Sequence, residues 1–319
     1  MANKKKKLVS IITPVLNEED NVDFYYKKLC KTLDTLSDRY NFEIVITDNA
    51  STDKTFELFE KLAKKDKRIR IFKFSRNFGF QRSIYTGYSK AKGDCAIEFD
   101  CDLQDDPSLL PKFLEHWEQG NKIVYGIRDK RPEGKLINAT RKIYYRLMHK
   151  ISSYKLPVDA GDFMLIDRVI LDQIKSTNDK NPYIRGMIFS MGFQQIGVPY
   201  SRDERLHGKT KFPITKLLSL AVDGIVSQSV LPLRIASYVG FITSTITVCL
   251  IMFYSLLRLF TDVNWPEGFT TTAVLILFSI CLNAIFLGII GEYLLRIYMQ
   301  VQNLPITIIE KEVDNSNKK

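Results

Sequence analysis

Residues 8–20 read LVSIITPVLNEED, residues 42–53 read FEIVITDNASTD and residues 95–107 read CAIEFDCDLQDDP. Each stretch opens as a short apolar run and ends in acids. Runs of that length, bounded by Pro, Asn, Asp and Ser, predict buried strands. Residues 69–74 (IRIFKF) and 122–127 (KIVYGI) have the same character. Between the runs, residues 18–36, 53–64, 80–91 and 108–120 carry apolar side chains at helical spacing. Strand, helix and strand in alternation predict an α/β fold with a mostly parallel sheet. Right-handed crossovers bring the strand-to-helix loops to one edge, and ligands of such sheets bind outside the carboxyl ends of the strands. The residues just past the strand ends are therefore the ones to search for chemistry.

Beyond residue 130 the pattern loosens, with a helix expected over residues 135–153 and further strands over 159–167 and 192–200. From Pro213 the character changes. Ile214, Leu217, Leu218, Ala221 and Ile225 share one helical face, opposite Thr215, Lys216, Ser219 and Asp223. This pattern predicts a helix lying in the membrane interface, the alternative being a helix of a soluble core. Residues 235–257 and 268–291 contain no Asp, Glu, Lys or Arg. As helices each is about 35 Å long, enough to cross a hydrocarbon layer of about 30 Å.

The expected partition is a catalytic domain over residues 1–212, an interfacial helix over 213–231, and two transmembrane helices with a C-terminal tail over 232–319. Between the spans, residues 258–267 hold a single basic residue, whereas the N-terminal domain and the tail are basic. The positive-inside rule then puts both termini and the catalytic domain in the cytoplasm of a multi-pass membrane protein. A chain ending near Lys211 is expected to fold alone.

The 319 residues include 46 Lys+Arg against 36 Asp+Glu, a formal charge of +10. Beside membrane spans, that charge suits phosphate and anionic lipid rather than nucleic acid. Cys30, Cys95, Cys101, Cys249 and Cys281 form no CxxC pair, and three scattered histidines complete no zinc spacing. Lys4–Lys7 before an apolar run imitates a signal peptide, but Pro14 and the acids at 18–20 favour a first strand behind a basic tail.

No GxGxxG lies beyond the first strand. Gly208-Lys209-Thr210 resembles the end of a P-loop, but position 203 is Asp. The strand ends are instead acidic: Glu18 and Glu19 come after the first, Asp48 and Asp53 at the second, and Asp100, Asp102, Asp105 and Asp106 after the fourth. Acids gathered at one sheet edge repel one another unless something positive sits among them. A hard cation, Mg²⁺ or Mn²⁺, held by one or two carboxylates plus substrate phosphates fits that need. The plainer reading is that Asp53 and Asp106 merely cap helices.

The succession Ile11-Ile12-Thr13-Pro14-Val15-Leu16-Asn17-Glu18, Asp48-Asn49-Ala50-Ser51-Thr52-Asp53 and Asp100-Cys101-Asp102-Leu103-Gln104-Asp105 resembles the family 2 glycosyltransferases of GT-A fold. Within that family it looks like the polyprenyl-phosphate glycosyltransferases, which include dolichol-phosphate mannose synthase and the bactoprenol glucosyltransferases. Ser75-Arg76-Asn77-Phe78-Gly79, Arg205-Leu206-His207-Gly208-Lys209-Thr210-Lys211 and the paired apolar spans fit the same subgroup. The QxxRW motif of processive synthases is missing.

The resemblance implies roles at matching positions. Pro14, Leu16, Glu18, Asp48 and Asn49 would hold the base and ribose of a nucleotide-sugar, with Asn49 where the family often has Asp. Asp102 and Gln104 would ligate the metal, with Asp100 and Cys101 against the nucleotide. Arg128, Arg141 and Arg205 would gather at the donor diphosphate, and Arg141, Arg205 and Lys211 at the acceptor phosphate. The implied reaction is inverting transfer of a sugar, glucose from UDP-glucose foremost, to undecaprenyl or another polyprenyl phosphate, supplying lipid-linked sugar for the cell envelope. UDP-N-acetylglucosamine is the alternative donor. Rivals of other classes are a non-catalytic membrane scaffold and a nucleotidyltransferase. Gly288 and Gly291 offer small residues for close helix approach in a homo-oligomer.

Overall fold

The structure is a computed structural model describing residues 6–128, 157, 160–177, 179–201, 231–260, 268–302 and 304–315. Contacts divide the chain into two units, Met1–Pro213 with Asn303–Lys319, and Ile214–Gln302.

In the first unit the predicted alternation appears as β1 (Lys7–Val15), α1 (Val22–Thr35), β2 (Tyr40–Asp48), α2 (Thr55–Lys65), β3 (Ile69–Phe74), α3 (Phe80–Lys90), β4 (Cys95–Glu98), α4 (Leu110–Glu118) and β5 (Ile123–Arg128). Next come β6 (Ala160–Asp167), α5 (Arg168–Ser176), α6 (Ile184–Ser190) and β7 (Gln195–Tyr200). Alternate residues of the central strands feed two apolar layers. Val9 and Ile11 of β1 pack with Tyr25 and Leu29 of α1, Phe59 of α2 and Phe113 of α4. Ile12 packs on the other face with Ile84 and Tyr88 of α3, Ile170 of α5 and Ile188 of α6. The close seat of α3 on the sheet depends on Gly87, where an added Cβ would lie 2.2 Å from Ile12 Cγ2.

The sheet runs β7-β5-β6-β4-β1-β2-β3-β8. β1 pairs in parallel with β2 and β4, and β2 with β3. Two strands run against the rest of this mostly parallel sheet. β6 inserts antiparallel between β4 and β5, and β8 (Ile309–Asp314) runs antiparallel along β3. A run of apolar residues encodes burial but not direction, so periodicity cannot separate these cases.

β8 corrects the reading of the C-terminus as a mere tail. Residues beyond the apolar segment return to the catalytic sheet and cover the edge of β3. Ser75 N donates to Ile308 O at 3.0 Å, Asn315 Nδ2 to Ala63 O at 2.9 Å, and Lys311 pairs with Glu60 at 2.8 Å. Arg70 of β3, 6% exposed, binds Asp314 at 3.0 Å and Glu43 at 2.9 Å. A chain ending near Lys211 lacks the strand that completes this sheet and one of the anions that Arg70 faces.

The second unit contains α7 (Leu231–Phe260) and α8 (Phe269–Val301). Helix α8 continues ten residues past the expected end at Gly291. The expectation stopped where the first charge, Glu292, appears, yet Tyr293-Leu294-Leu295-Arg296 continues with good helix formers and no proline until Pro305. Among the described residues one segment, Phe278–Val301, is long and apolar enough to cross a membrane. Leu287, Leu294 and Ile297 on it are exposed. The expected pair of spans is therefore matched on this criterion by one. The expected helix over residues 135–153, and that over 213–231 apart from Leu231, which opens α7, lie outside the described residues.

Candidate active site

β1, β2, β4 and β5 point the same way, so the loops after them meet at one edge. Val15 pairs with Asp48 at the ends of β1 and β2. Three non-glycine residues with left-handed backbone sit just beyond these strands: Asn17 (φ 54°), Ala50 (φ 63°) and Leu103 (φ 54°). For Ala and Leu this conformation costs about 1–2 kcal/mol each, and such strain gathers where loops are shaped for function.

The first two loops are stitched together. Asn17 N donates to Ser51 Oγ (3.0 Å), and Asn17 Oδ1 accepts from Thr52 N (2.8 Å). Glu18 N donates to Thr55 Oγ1 (2.8 Å) and Glu19 Oε2 accepts from Lys54 N (3.0 Å). The acids fall into two kinds. Asp53 accepts from Thr55 N (3.0 Å), and Asp106 accepts from Ser108 N (3.1 Å) beside Lys28. Asp106 caps the turn that begins at Pro107, whereas Asp53, one residue ahead of the α2 N-cap Lys54, makes an Asx turn.

Asp48 is different. It is fully buried, Oδ1 accepts from Ser51 N (2.9 Å), and Oδ2 has no hydrogen-bond partner. Burial pushes its carboxyl above the ordinary value, opposed by the Ser51 bonds and by Lys73. Such a buried acceptor is ready for a donor N–H or O–H from a ligand. Asn49, next along, spends its side-chain carbonyl on Phe78 N (2.8 Å) and so anchors the Ser75–Gly79 segment. Pro14 and Leu16 lie on the same edge, Leu16 exposed.

After β4 the chain turns sharply. Asp102, 7% exposed, accepts at Oδ1 from Gln104 N (3.1 Å), with the strained Leu103 between them. Cys101 is buried, and burial beside Glu18, Asp102 and Asp100 pushes its thiol up, so it is no nucleophile. Asp102 and Gln104 offer hard oxygen donors, a carboxylate and an amide carbonyl, and these suit Mg²⁺ or Mn²⁺ sharing its shell with phosphates. Arg128 ends β5 on this edge, in register with Tyr200 of β7. Arg141, Arg205 and Lys211 lie outside the described residues.

The sequence reading missed Glu98, the last residue of β4. It is 1% exposed, and its carboxyl lies within hydrogen-bonding reach of Asp100. Burial, then repulsion from Asp100, Asp162 and Asp105, raises its pKa well above the ordinary 4.5. Burial beside these acids thus favours the protonated form of Glu98. Because the folded value is raised, its contribution to stability is fully present below about pH 4.5 and is lost as pH rises toward the folded value. Glu98→Gln is expected to flatten the fall of Tm as pH rises above about 4.5, measured by thermal unfolding in detergent. An unchanged slope would mean that Glu98 is ionised at neutral pH.

The family 2 glycosyl transferase model matches residues 10–175, just over half of the chain. The chain belongs to glycosyltransferase family 2. This glycosyltransferase is 38% identical over 312 residues to an uncharacterized glycosyltransferase of Bacillus subtilis, YkcC, covering 97% of this chain and 95% of that one. It is 34% identical over 304 residues to the SfII prophage-derived bactoprenol glucosyl transferase of Shigella flexneri, covering 95% and 97%. Among solved structures it resembles the mannosyltransferase PcManGT of Pyrobaculum calidifontis, in complex with GDP-Man and Mn²⁺. There the TM-score is 0.47 at 15% identity, covering 94% and 88%, and at that level the likeness carries no argument. The family accounts for the α/β fold, GT-A-like with a mostly parallel sheet, and for an enzyme that transfers sugars.

Proposed function

We propose that this glycosyltransferase moves a sugar, glucose from UDP-glucose foremost, onto undecaprenyl or another polyprenyl phosphate at the cytoplasmic face of the membrane. The observation that carries the reading is the near full-length similarity to a protein named bactoprenol glucosyl transferase. That similarity spans the apolar segments as well as the sheet, so it is not a likeness of the catalytic fold alone. The long exposed apolar surface of α8 supports it, since such a surface needs a non-aqueous cover. β8 adds a topological argument. The chain before α7 and the chain after α8 belong to one sheet, which supports a reading in which the chain between them returns to the side it left. Two crossings, with both termini cytoplasmic, satisfy this and the charge distribution together.

In this reading Asp48 Oδ2 accepts from the base, and Pro14, Leu16, Glu18 and Asn49 frame the nucleotide, with Asp100 and Cys101 below its ribose and diphosphate. Asp102 and Gln104 would hold Mg²⁺ or Mn²⁺, which when bound neutralises the leaving diphosphate. Arg128, Arg141, Arg205 and Lys211 would neutralise and orient the two phosphates. A lipid phosphate has a second pKa of about 6, so it is already a nucleophile at cytosolic pH and no histidine base is required. The protein's task is then positioning and charge stabilisation, and a single in-line displacement inverts the anomeric centre.

The test is incubation of the purified protein in detergent with undecaprenyl phosphate, Mg²⁺ or Mn²⁺, and UDP-glucose, UDP-N-acetylglucosamine or GDP-mannose in turn. Glucosylated lipid is expected from UDP-glucose. Product from another donor alone would move the sugar assignment, and no lipid product from any donor would leave the scaffold reading.

A further inference from the structure

The turn that carries Asp102 and Gln104 closes on a local bond, Gln104 N to Asp102 Oδ1 at 3.1 Å, across a leucine in left-handed conformation. Strain of that kind persists only where the surroundings over-determine it.

A side chain 95 residues along the chain reaches this turn. The Tyr200 hydroxyl, at the end of β7, donates to Asp105 Oδ1, the residue after Gln104. Both partners are buried, Tyr200 at 7% exposure and Asp105 at 2%. The tyrosine ring meets the edge of Phe163 (5.9 Å between centroids, 74°), and Phe163 stacks on Phe113 (4.6 Å, 24°). β5 makes room for it with a glycine: a Cβ on Gly126 would lie 2.6 Å from Tyr200 Cε1 and 3.3 Å from Phe163 Cδ1. An apolar cage of this kind would hold a phenylalanine equally well. The cage therefore explains the ring but not the hydroxyl, and a buried carboxylate is a costly partner to keep for packing alone.

We propose that Tyr200 is a positioning residue for the reaction: its hydroxyl pins Asp105 and so holds the Asp102–Gln104 turn in the arrangement that receives the divalent cation and the diphosphate. The proposal rests on the donor-site reading of that turn. It also joins two parts of the reaction along the chain. Tyr200 lies beside Arg128 in the sheet and five residues before Arg205 in the sequence, so one hydroxyl ties the metal turn to the strand that leads into the acceptor-phosphate segment.

The experiment uses the full chain in detergent and reads UDP binding by calorimetry at a series of Mn²⁺ concentrations, beside Tm without ligand. Tyr200→Phe keeps the ring and removes the bond. The Mn²⁺ concentration that half-saturates UDP binding is expected to rise about tenfold, the usual loss when a group that orients a metal ligand is removed, with Tm within a few degrees of wild type. Asp105→Ala is expected to raise it similarly, and the double variant no further, because both substitutions break one link. Half-saturation within about twofold of wild type in Tyr200→Phe, whatever its Tm, would overturn the proposal and leave the donor site standing. Simple addition of the two single effects would overturn it as well. Failure of the wild type to bind UDP at any Mn²⁺ concentration would sink the donor-site reading, and the tether with it.

Discussion

Asp102→Ala is expected to lower kcat for sugar transfer by about 10²–10³-fold while Tm stays near that of the wild type. The magnitude is that of removing one charge-stabilising group that acts chiefly in the transition state. Fold is spared because Asp102 lies on a loop beyond β4 and its bond to Gln104 N is local. Asp102→Asn separates the two roles. The amide oxygen can still accept from Gln104 N, so the turn survives, but the charge that would face a cation is gone, and kcat is expected to stay low. Excess EDTA should reduce the wild type to a similar rate, with Mn²⁺ or Mg²⁺ restoring it. Full activity in EDTA would remove the metal from this site.

Arg70→Ala is expected to cost about 3–5 kcal/mol, the usual result of leaving a buried charge uncompensated. Arg70 lies between Glu43 and Asp314 and also donates to Lys90 O at 2.8 Å. Glu43 is itself 6% exposed and accepts from Ser10 Oγ (2.5 Å) and Lys92 N (2.6 Å). Without the guanidinium its carboxylate keeps neutral donors but no buried cation, and β8 loses the ion pair that Asp314 makes with Arg70. A fall in Tm on the order of 10 °C is expected by thermal unfolding in detergent. Arg70→Met combined with Glu43→Gln should recover part of the loss, since both charges then leave together. A loss under about 1 kcal/mol for Arg70→Ala would show that water reaches the pair.

How far the sequence could be read depended on how far apart the cooperating residues lie. β1 to β5 and α1 to α4 were legible because each element carries its own local pattern over four to fourteen residues. The acids after the strands were legible as a group because a parallel sheet brings those loops to one edge by topology alone. Their separate duties were not. Asp53 makes an Asx turn, Asp106 caps, Asp48 keeps a buried oxygen unpartnered, and Glu98, read only as part of a strand, sits buried beneath the loop. Sequence places all of these near the edge, but a carboxylate's role is set by which N–H groups and which neighbours reach it.

Local pattern by itself determined the α/β alternation, the acidic edge and the apolar C-terminal segments, since burial and turn chemistry are properties of neighbouring residues. Tertiary structure alone decided three matters: that β6 enters antiparallel, that residues 309–314 return from beyond α8 to finish the sheet, and that Tyr200 meets Asp105. The physical reason is common to all three. A strand's edge and a buried hydroxyl are satisfied by whichever hydrogen-bonding partner the fold brings near, here 244 residues away from Arg70 and 95 from Asp105, and separations of that size leave no period in the sequence.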